Sequence, residues 1–348
     1  MNENRSERDV AVQRLMELCA VDTTTGQEAA LTPTLRHMLE GMGARVTLQR
    51  AQGDRDNVLA TWSHNPRLLF STHTDTVPPF LPPHRDDECV YGRGSIDAKG
   101  QIVAQWAVIE RLLAAGARDL AWLGVVGEET DSLGAKAALS LAPSLETVRA
   151  VVNGEPTGNQ LATGQRGVLH LRLSCRGRAG HSSTPSAGRS AIWPLLDWLQ
   201  TLRSEPRPSD PDLGDEIWNL ASIGGGRAPN VIPDAAHAEL FVRALPGSDF
   251  ATLAQQLAPE DADVEILSEA PADRFPRVPG FAHSVVPFGS DAPRLRQLAR
   301  SRMVALIGPG DIELAHSADE RLRLADLDAG IDLIQRLAER FLREPGPT

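Results

Sequence analysis

Three short apolar runs constrain the fold of this chain more than any other feature of its sequence. They span residues 68–70, 120–126 and 150–152, and each leads into a polar loop. A short apolar run without alternation is typical of a strand that is buried on both faces of a sheet. Helical patterns separate these runs, above all over residues 96–115. The sequence therefore predicts an α/β fold with a mixed, largely parallel sheet flanked by helices.

The remaining patterns extend this sheet and add a second domain. Helices are predicted over residues 7–20, 27–42, 132–142, 292–300 and 325–342, and strands over 44–50, 57–62, 67–72, 285–286 and 303–307. Between them lies a strand-helix-strand-strand-helix-strand series over 167–176, 189–203, 217–223, 236–245, 249–258 and 263–268. That order is the ferredoxin-like pattern. We therefore predict a discontinuous α/β domain of residues 1–165 and 271–348, with residues 166–270 inserted as a ferredoxin-like α+β domain.

The charge of the chain argues against two classes of partner. The 348 residues carry a formal net charge of −11, whereas nucleic acids and anionic membranes are bound through clustered Lys and Arg. No apolar run approaches the ~20 residues that span a bilayer, and the polar N-terminus shows no signal peptide. The sparse cysteines Cys19, Cys89 and Cys175 lack CxxC spacing, which favours a reducing compartment. We expect a cytoplasmic protein that binds neither nucleic acid nor membrane.

Acidic and imidazole side chains follow the predicted strands of the α/β domain. Ligands of an open α/β sheet bind beyond the carboxyl ends of its strands, so these positions define the expected site. Each residue alone has an ordinary explanation, such as a turn, a surface pair or a helix N-terminal carboxylate. Their recurrence at five junctions of one sheet indicates a shared function. The residues are His73 and Asp75, Asp97, Glu128 and Glu129, Glu155, and His316.

The residue types in this set indicate metal chemistry. Two imidazoles and several carboxylates without a thiolate suit zinc, cobalt or manganese. Two metal ions that share a bridging carboxylate need about one His and one acidic residue each, plus one free carboxylate as general base. The first requirement is met by His73, Asp97, Glu129, Glu155 and His316, and Glu128 remains as the base. If residues 73–75 stay extended, Asp75 projects to the same side as His73 and can hold its ring by a hydrogen bond.

Other catalytic templates fit the sequence poorly. The stretch GRGSID at residues 92–97 lacks the third glycine of a dinucleotide-binding fingerprint. The sequence contains neither a GxSxG nucleophile elbow nor a P-loop.

Seven motifs in order along the chain resemble those of the dinuclear zinc M20 metallopeptidase and deacetylase family. They are STHTDTVP (71–78), YGRGSIDAKG (91–100), GEE (127–129), NGEPT (153–157), GRAGHSSTP (177–185), PNVIP (229–233) and GPGD (308–311) followed by His316. The family includes acetylornithine deacetylase, succinyl-diaminopimelate desuccinylase, aminoacylase and glutamate carboxypeptidase. The resemblance implies a dinuclear zinc aminopeptidase-like catalytic domain and an inserted domain that serves as lid and dimerisation domain.

The resemblance also implies a role for each site residue. It places His73 and Glu155 on one metal ion, Glu129 and His316 on the other, and Asp97 between them. It makes Glu128 the general base and Asp75 the residue that orients His73. In the lid it implies that His181 reaches the partner subunit's active site and helps to stabilise the tetrahedral oxyanion. It implies substrate contacts for Asn230 and Arg243, the latter through a substrate carboxylate, and for the backbone N–H groups of Gly308 and Gly310.

We expect an enzyme with two Zn²⁺ ions, for which Co²⁺ or Mn²⁺ can substitute, that removes an acyl group from an N-acyl amino acid. An acetylornithine deacetylase-like activity in arginine biosynthesis is the first expectation. The alternatives are a carboxypeptidase or dipeptidase acting on short peptides, and a succinyl-diaminopimelate desuccinylase-like hydrolase. A homologue that has lost turnover and serves in binding or regulation is a further alternative. We expect a homodimer that associates through the lid domain.

Overall fold

The computed structural model describes residues 6–343, and the helices within that range follow the predicted order. The α-helices are α1 (Glu7–Cys19), α2 (Thr32–Gly41), α3 (Lys99–Ala114), α4 (Leu133–Ala138), α5 (Ile192–Ser204), α6 (Phe250–Gln256), α7 (Ala292–Leu295) and α8 (Leu324–Arg343). Short 3-10 helices span Glu28–Ala30, Leu139–Ser144, Pro185–Ala187, Arg296–Leu298 and Ile312–Leu314. No helix within residues 6–343 combines the length and the apolar character needed to cross a membrane.

The strands include several short ones that carry no periodicity in the sequence. They are β1 (Arg45–Gln52), β2 (Arg55–Thr61), β3 (Leu68–His73), β4 (His84–Arg85), β5 (Cys89–Tyr91), β6 (Leu120–Val125), β7 (Ala150–Asn153), β8 (Leu161–Gln165), β9 (Gly167–Arg176), β10 (Ser209–Asp210), β11 (Gly214–Asp215), β12 (Ile217–Gly225), β13 (Ala235–Ala244), β14 (Ala262–Ala270), β15 (Asp273–Arg274), β16 (His283–Val286), β17 (Met303–Leu306) and β18 (Arg321–Arg323). Elements of two or three residues are too short to show an alternation, so the sequence did not predict β4, β5 or β18.

The central sheet has the order β1-β2-β6-β3-β7-β17. The strands β6, β3, β7 and β17 are parallel neighbours, and β2 pairs antiparallel with both β1 and β6. The register aligns His73 with Val125, Ser71 with Asn153, and Leu306 with Asn153. The four parallel strands therefore end at one edge of the sheet, and the predicted mixed, largely parallel sheet is confirmed.

The helices cover a core that is continuous with this sheet. All residues of β3 and β6 are buried, as expected for strands between two helical layers. In α3, Trp106 contacts Trp122 of β6 edge to face, with 5.5 Å between the ring centroids. The last helix, α8, buries a single stripe that begins at Leu327 and ends at Phe341. Ser6 and Asp9 form a capping box that begins α1.

Two predicted helices begin later than the sequence suggested. The helix expected from residue 96 begins at Lys99, because the residues before it form the loop that carries Asp97. The helix expected over 27–42 divides into a 3-10 turn and α2, and Pro33 lies in the first turn of α2. Proline lacks the N–H that donates to the carbonyl four residues earlier in a helix. It is therefore tolerated in the first turn and disfavoured in the interior.

The chain divides into two compact units. One unit runs to Thr163 and takes in Phe275–Ser284 and the chain from Ser290 onward, and the other comprises Gly164–Arg274 with Val285–Gly289. The second unit includes residues 271–274 and 285–289, which the sequence assigned to the α/β domain. The predicted domain boundaries and the lid and dimerisation roles stay predictions. In the second unit the antiparallel sheet has the order β12-β13-β9-β14, which is the ferredoxin-like arrangement. Its apolar core lies between this sheet and the helices α5 and α6.

Candidate metal centre

His73 is the last residue of β3 and lies against two carboxylates. Only 1% of its surface is exposed. Its Nε2 lies 2.9 Å from Asp97 Oδ1 and 3.9 Å from Glu155 Oε2, and its Nδ1 lies 3.0 Å from the backbone carbonyl of Asp75. When Nδ1–H donates to that carbonyl, a neutral imidazole directs its Nε2 lone pair toward both carboxylates. This arrangement is favourable when a cation lies between them or when Nε2 carries a proton that it donates to Asp97.

Asp97 connects the two imidazoles of the site. Its Oδ1 faces His73, and its Oδ2 lies 3.2 Å from Nε2 of His316. The side chain is almost completely buried, in the loop just before α3, and the peptide bond to Ala98 is cis. Burial raises the pKa of this carboxyl, but the hydrogen bonds from His316 and His73 outweigh it and hold the pKa below its ordinary value. Asp97 thus stays ionised with one oxygen toward each imidazole.

Glu129 and His316 form the other half of the cluster. Glu129 Oε1 lies 3.1 Å from His316 Nε2, and one ligand atom each of His73, Asp97 and Glu129 lie within 4.8 Å of one another. His316 follows the 3-10 helix Ile312–Leu314 and adopts a φ of 62°. The hydrogen bonds to Asp97 and Glu129 raise the pKa of His316 to about 10. The structure thus brings together the side chains that follow β3, β6 and β17.

Glu155 completes the predicted set from the end of β7. It is 4% exposed, and its buried Oε1 has no hydrogen-bond partner among the residues that the structure describes. Burial raises the pKa of Glu155 well above its ordinary value, and the neighbouring Asp97 adds to the effect. A buried carboxylate oxygen without a donor is costly unless a cation or a proton neutralises it. This oxygen, together with hard donors and no thiolate, fits a site for divalent metal ions.

Asp75 holds the loop that carries the two glutamates. Its carboxylate accepts hydrogen bonds from the backbone N–H groups of Glu128 and Glu129, at 3.1 and 3.2 Å, and from the hydroxyl of Thr25 at 2.8 Å. Its Oδ1 lies 3.5 Å from His73 Nδ1, whereas its backbone carbonyl oxygen lies 3.0 Å from the same nitrogen. Asp75 therefore contacts His73 mainly through its backbone carbonyl. Its carboxylate instead binds the loop after β6. The sequence predicted that the Asp75 side chain orients His73, and this role stays a prediction; its contact with the loop after β6 was not predicted.

Glu128 lies next to the cluster with its side chain in a strongly acidic environment. Burial and the neighbouring Glu155 raise its pKa well above the ordinary value for a glutamate. The N–H of Glu128 donates to Asp75, which fixes the backbone of Glu128. This hydrogen bond does not involve the Glu128 carboxylate. A carboxylate of raised pKa is suited to accept and return a proton near neutral pH. Its role as general base stays a prediction.

The loop after β17 packs closely against the end of β7. A Cβ on Gly308 would lie 1.8 Å from Gln101 Oε1 and 2.7 Å from the Glu155 carbonyl, so only glycine fits there. The N–H of Gly308 donates to Thr157 Oγ1 at 3.1 Å. Gly310 has a φ of 99°, in the region that favours glycine. The predicted substrate contacts of these two N–H groups stay predictions, and the N–H of Gly308 is already engaged by Thr157.

The other predicted residues lie in the second unit. His181 is exposed, and its Nδ1 accepts the N–H of Ser183 at 3.2 Å. Asn230 lies beside it in the fold, because its carbonyl accepts the N–H of Ser182 at 3.0 Å. Arg243 is half-buried in β13 with its guanidinium 5.0 Å above the Phe241 ring. Within this unit the structure therefore brings His181 and Asn230 together.

Sequence reasoning missed two buried charged residues beside the cluster. Arg93 and Glu320 are 2% and 1% exposed and form an ion pair. Glu320 lies four residues after His316 and contacts the loop of Asp97. A buried charge in a loop is rarely visible in a single sequence, because loop glutamates are usually solvated. The arginine within GRGSID was the one available signal.

A cluster of imidazoles and carboxylates at the carboxyl edge of an α/β sheet is the arrangement of a metal-dependent hydrolase. The model of the peptidase family M20/M25/M40 matches residues 69–340, and the chain belongs to this family. The resemblance noted from the sequence is thus confirmed, and the protein is a hydrolase of the M20 family.

One protein of similar sequence and two solved structures of similar fold can be compared with this chain. A protein of Aspergillus clavatus named as a probable carboxypeptidase is 32% identical, over an alignment that covers 94% of this chain and 87% of that protein. The aminopeptidase PepT of Bacillus cereus has the same fold, with a TM-score of 0.77 at 18% identity over 97% of this chain and 99% of that chain. The YXEP protein of Bacillus subtilis, described as a dinuclear metal-binding peptidase, has a TM-score of 0.69 at 14% identity, covering 95% and 97% of the two chains.

Proposed function

We propose that the protein is a dinuclear metallo-carboxypeptidase. In this proposal it hydrolyses the amide bond on the N-terminal side of a C-terminal amino acid in a short peptide or an N-acyl amino acid. The name of the Aspergillus clavatus relative supports carboxypeptidase activity. This reverses the order expected from the sequence, in which an acetylornithine deacetylase-like activity came first. Both reactions cleave an amide whose nitrogen belongs to an amino acid, so the difference lies in the acyl group that is accepted.

The observation that carries the proposal is the contact of Asp97 with both imidazoles. Its two oxygens lie 2.9 Å from His73 Nε2 and 3.2 Å from His316 Nε2. A carboxylate placed in this way can bridge two cations, with Glu155 on the side of His73 and Glu129 on the side of His316. We propose two Zn²⁺ ions, for which Co²⁺ or Mn²⁺ can substitute. The description of the YXEP protein as dinuclear supports this number.

Bound metal ions would supply Lewis acidity, which polarises the scissile carbonyl and acidifies a water molecule. The protein groups around them carry the proton. Glu128, with its raised pKa, accepts a proton from the attacking water and returns it to the leaving amine. Asp75 fixes the backbone of Glu128 and Glu129, so that the base and its neighbouring ligand keep a constant spacing.

We propose that His181 of one subunit donates a hydrogen bond to the oxyanion that develops in the partner subunit's active site. Its Nδ1 accepts the N–H of Ser183, so a neutral His181 carries its proton on Nε2. The side chain is therefore prepared as a donor through the exposed ring nitrogen. The predicted contact of Asn230 with substrate is supported by its position beside Ser182.

Arg243 is proposed to bind the carboxylate of the substrate. Burial and the neighbouring Arg166 lower the pKa of Arg243, so a second cation lies near its guanidinium. Two neighbouring half-buried cations favour an anionic ligand, and a guanidinium can bind a carboxylate with two hydrogen bonds. A free C-terminal carboxylate is what a carboxypeptidase must recognise.

The lid is proposed to form a homodimer. Edge strand β12 exposes Ile217 and Ile223, at 51% and 50%, and helix α5 exposes Trp193 at 68%. An exposed apolar edge strand is a template for pairing with another chain. A second copy of the same edge satisfies it through an isologous contact.

A substrate panel tests the proposed activity. The zinc-loaded protein is incubated with an N-blocked dipeptide, its C-terminal amide, the corresponding free dipeptide and N-acetylornithine, and released amine is quantified. We expect the N-blocked dipeptide with a free carboxylate to be cleaved and its C-terminal amide to resist, because the amide lacks the charge that Arg243 binds.

Three results would contradict this assignment. Cleavage of N-acetylornithine with the peptides left intact would restore the deacetylase as the better assignment. Equal cleavage of the N-blocked dipeptide and its C-terminal amide would show that the enzyme does not recognise the substrate carboxylate. Fewer than two bound zinc ions per chain, without turnover of any substrate, would favour a binding or regulatory protein.

A further inference from the structure

Arg93 and Glu320 form a buried link between the two loops that carry Asp97 and His316. Arg93 lies in the loop before α3, and Glu320 lies between His316 and β18. Their side chains are 2% and 0% exposed and form an ion pair. A buried ion pair seldom adds net stability over an apolar pair of the same volume, so its presence calls for another explanation.

Glu320 accepts hydrogen bonds from several backbone N–H groups of the loop that precedes α3. Its Oε1 accepts the N–H groups of Gly94, Ile96 and Asp97, at 2.9, 3.3 and 3.3 Å. These contacts fix the main chain at Asp97 itself and on its N-terminal side. One carboxylate oxygen of Glu320 therefore fixes the backbone position from which the Asp97 side chain extends.

Arg93 reaches the opposite loop through its guanidinium. Its Nη1 and Nη2 donate to the carbonyls of Ser317 and His316, at 3.3 and 3.4 Å, while Nη1 also pairs with Glu320. Its Nε donates to the carbonyl of Pro79 at 3.3 Å. The planar fork of arginine can serve these acceptors together, which a lysine ammonium cannot do in the same geometry.

We propose that Arg93 and Glu320 are positioning residues that hold the loops of Asp97 and His316 in their metal-binding arrangement. This role rests on the proposed dinuclear function, since it concerns the spacing of the proposed ligands of the two ions. The pair does not touch the metal ions or the substrate in this role. It acts through the main chain of both loops, as outer contacts that orient ligands do at metal sites.

Glu320→Gln is the sharpest test because it keeps the shape of the side chain. An amide has one acceptor oxygen, so it can face either Arg93 or the three N–H donors, but not both. We expect zinc binding, measured by competition with a chromophoric chelator, to weaken by about 10–100-fold. The matched control is Glu7→Gln, which alters an exposed ion pair with Arg111 in the same unit and should leave zinc affinity unchanged.

Arg93→Lys provides a second variant that preserves the buried cation. It should weaken zinc binding less than Glu320→Gln, because the charge facing Glu320 remains while the bonds to Ser317 and His316 are lost. The melting temperature of each metal-free variant is measured alongside, so that loss of folding is separated from loss of affinity. If Glu320→Gln does not fold, the affinity of Arg93→Lys decides the matter.

The outcomes separate this inference from the proposed function. Variants that melt earlier but bind zinc with wild-type affinity would show a merely structural pair and overturn the positioning role alone. A wild-type protein that binds no divalent metal would overturn the proposed function and this role with it. Weakened zinc binding in both variants, with the Glu7→Gln control unaffected, supports the positioning role.

Discussion

At the scale of single residues, neighbouring glutamates of this site differ in their contacts, and we propose that they carry out different tasks for that reason. Glu129 faces His316 at 3.1 Å, which suits a metal ligand. Glu128 is fixed through its backbone N–H, and its carboxyl has a raised pKa because of burial and Glu155. In the proposed function, these adjacent positions would provide one group that holds a cation and one that holds a proton.

Glu128→Gln should retain both metal ions and lose turnover. The amide preserves shape and cannot accept the proton of the attacking water, so kcat should fall by ~10²–10⁴-fold. Metal content is measured by elemental analysis and turnover on the peptide substrate. The exposed Glu146→Gln is the matched control and should match the wild type. Loss of a metal ion in Glu128→Gln would move this residue into the ligand set.

At the scale of elements, the two edges of the lid sheet differ in how much apolar surface they expose. Strand β12 leaves Ile217, Leu220 and Ile223 exposed, whereas the exposed large apolar residue of β14 is Ile266. Leu220 and Ile223 lie opposite Leu240 and Ala238 of β13, on one face of the sheet, so a partner can cover them together. A single residue on β14 offers no comparable surface.

Ile223→Lys should therefore dissociate the proposed dimer. We expect light scattering after size-exclusion chromatography to give about twice the 37.5 kDa chain mass for the wild type and a single chain for the variant. Ile266→Lys is the matched control, because both isoleucines are 50% exposed and lie on opposite edges of one sheet. A wild-type protein of single-chain mass, or dissociation by Ile266→Lys alone, would contradict the interface.

At the scale of the whole molecule, the site concentrates groups that bind protons more tightly in the folded state than in the unfolded chain. The hydrogen bonds to Asp97 and Glu129 raise the pKa of His316 to about 10. Burial lowers the pKa of His73, but Asp75 and Asp97 outweigh it and raise the pKa well above its ordinary value. Burial raises the pKa of Glu155 as well. Without metal ions these groups keep protons that the unfolded chain releases.

The metal-free protein should accordingly lose stability as the pH rises. A folded-state pKa above the unfolded value stabilises the protein below the unfolded pKa, and that contribution is lost as the pH rises toward the folded pKa. For the glutamate the loss begins above about pH 4.5 and for the histidines above about 6.5. The carboxyls of Asp75 and Asp97 have lowered pKa values and are ionised in both states across this range.

We expect the free energy of unfolding of chelator-treated protein, measured in urea, to fall between pH 5.5 and pH 8. Metal binding displaces the same protons, so added zinc should restore more stability at pH 8 than at pH 5.5. A free energy of unfolding that rises over this range without metal would show that the cluster does not govern the response.

Local patterns predicted the elements that carry the site better than they predicted the contacts within it. Strands β3 and β6 were visible because each overlaps a short apolar run, at residues 68–70 and 120–126. The helix after Asp97 was predicted to begin at residue 96 instead of Lys99, because its loop is apolar enough to continue the helical pattern. Boundaries depend on loop contacts, and the loop here is held by Glu320, 223 residues from Asp97.

The sequence by itself determined the donor types of the site and the sheet edge that presents them, because both follow from residue identity and from periodicity over a few neighbours. Only the tertiary structure decided that the carboxylate of Asp75 holds the backbone of Glu128 and that Glu320 holds the backbone of Asp97. These contacts join positions that are far apart in the chain, so the packing of the fold selects them, and no local pattern records them.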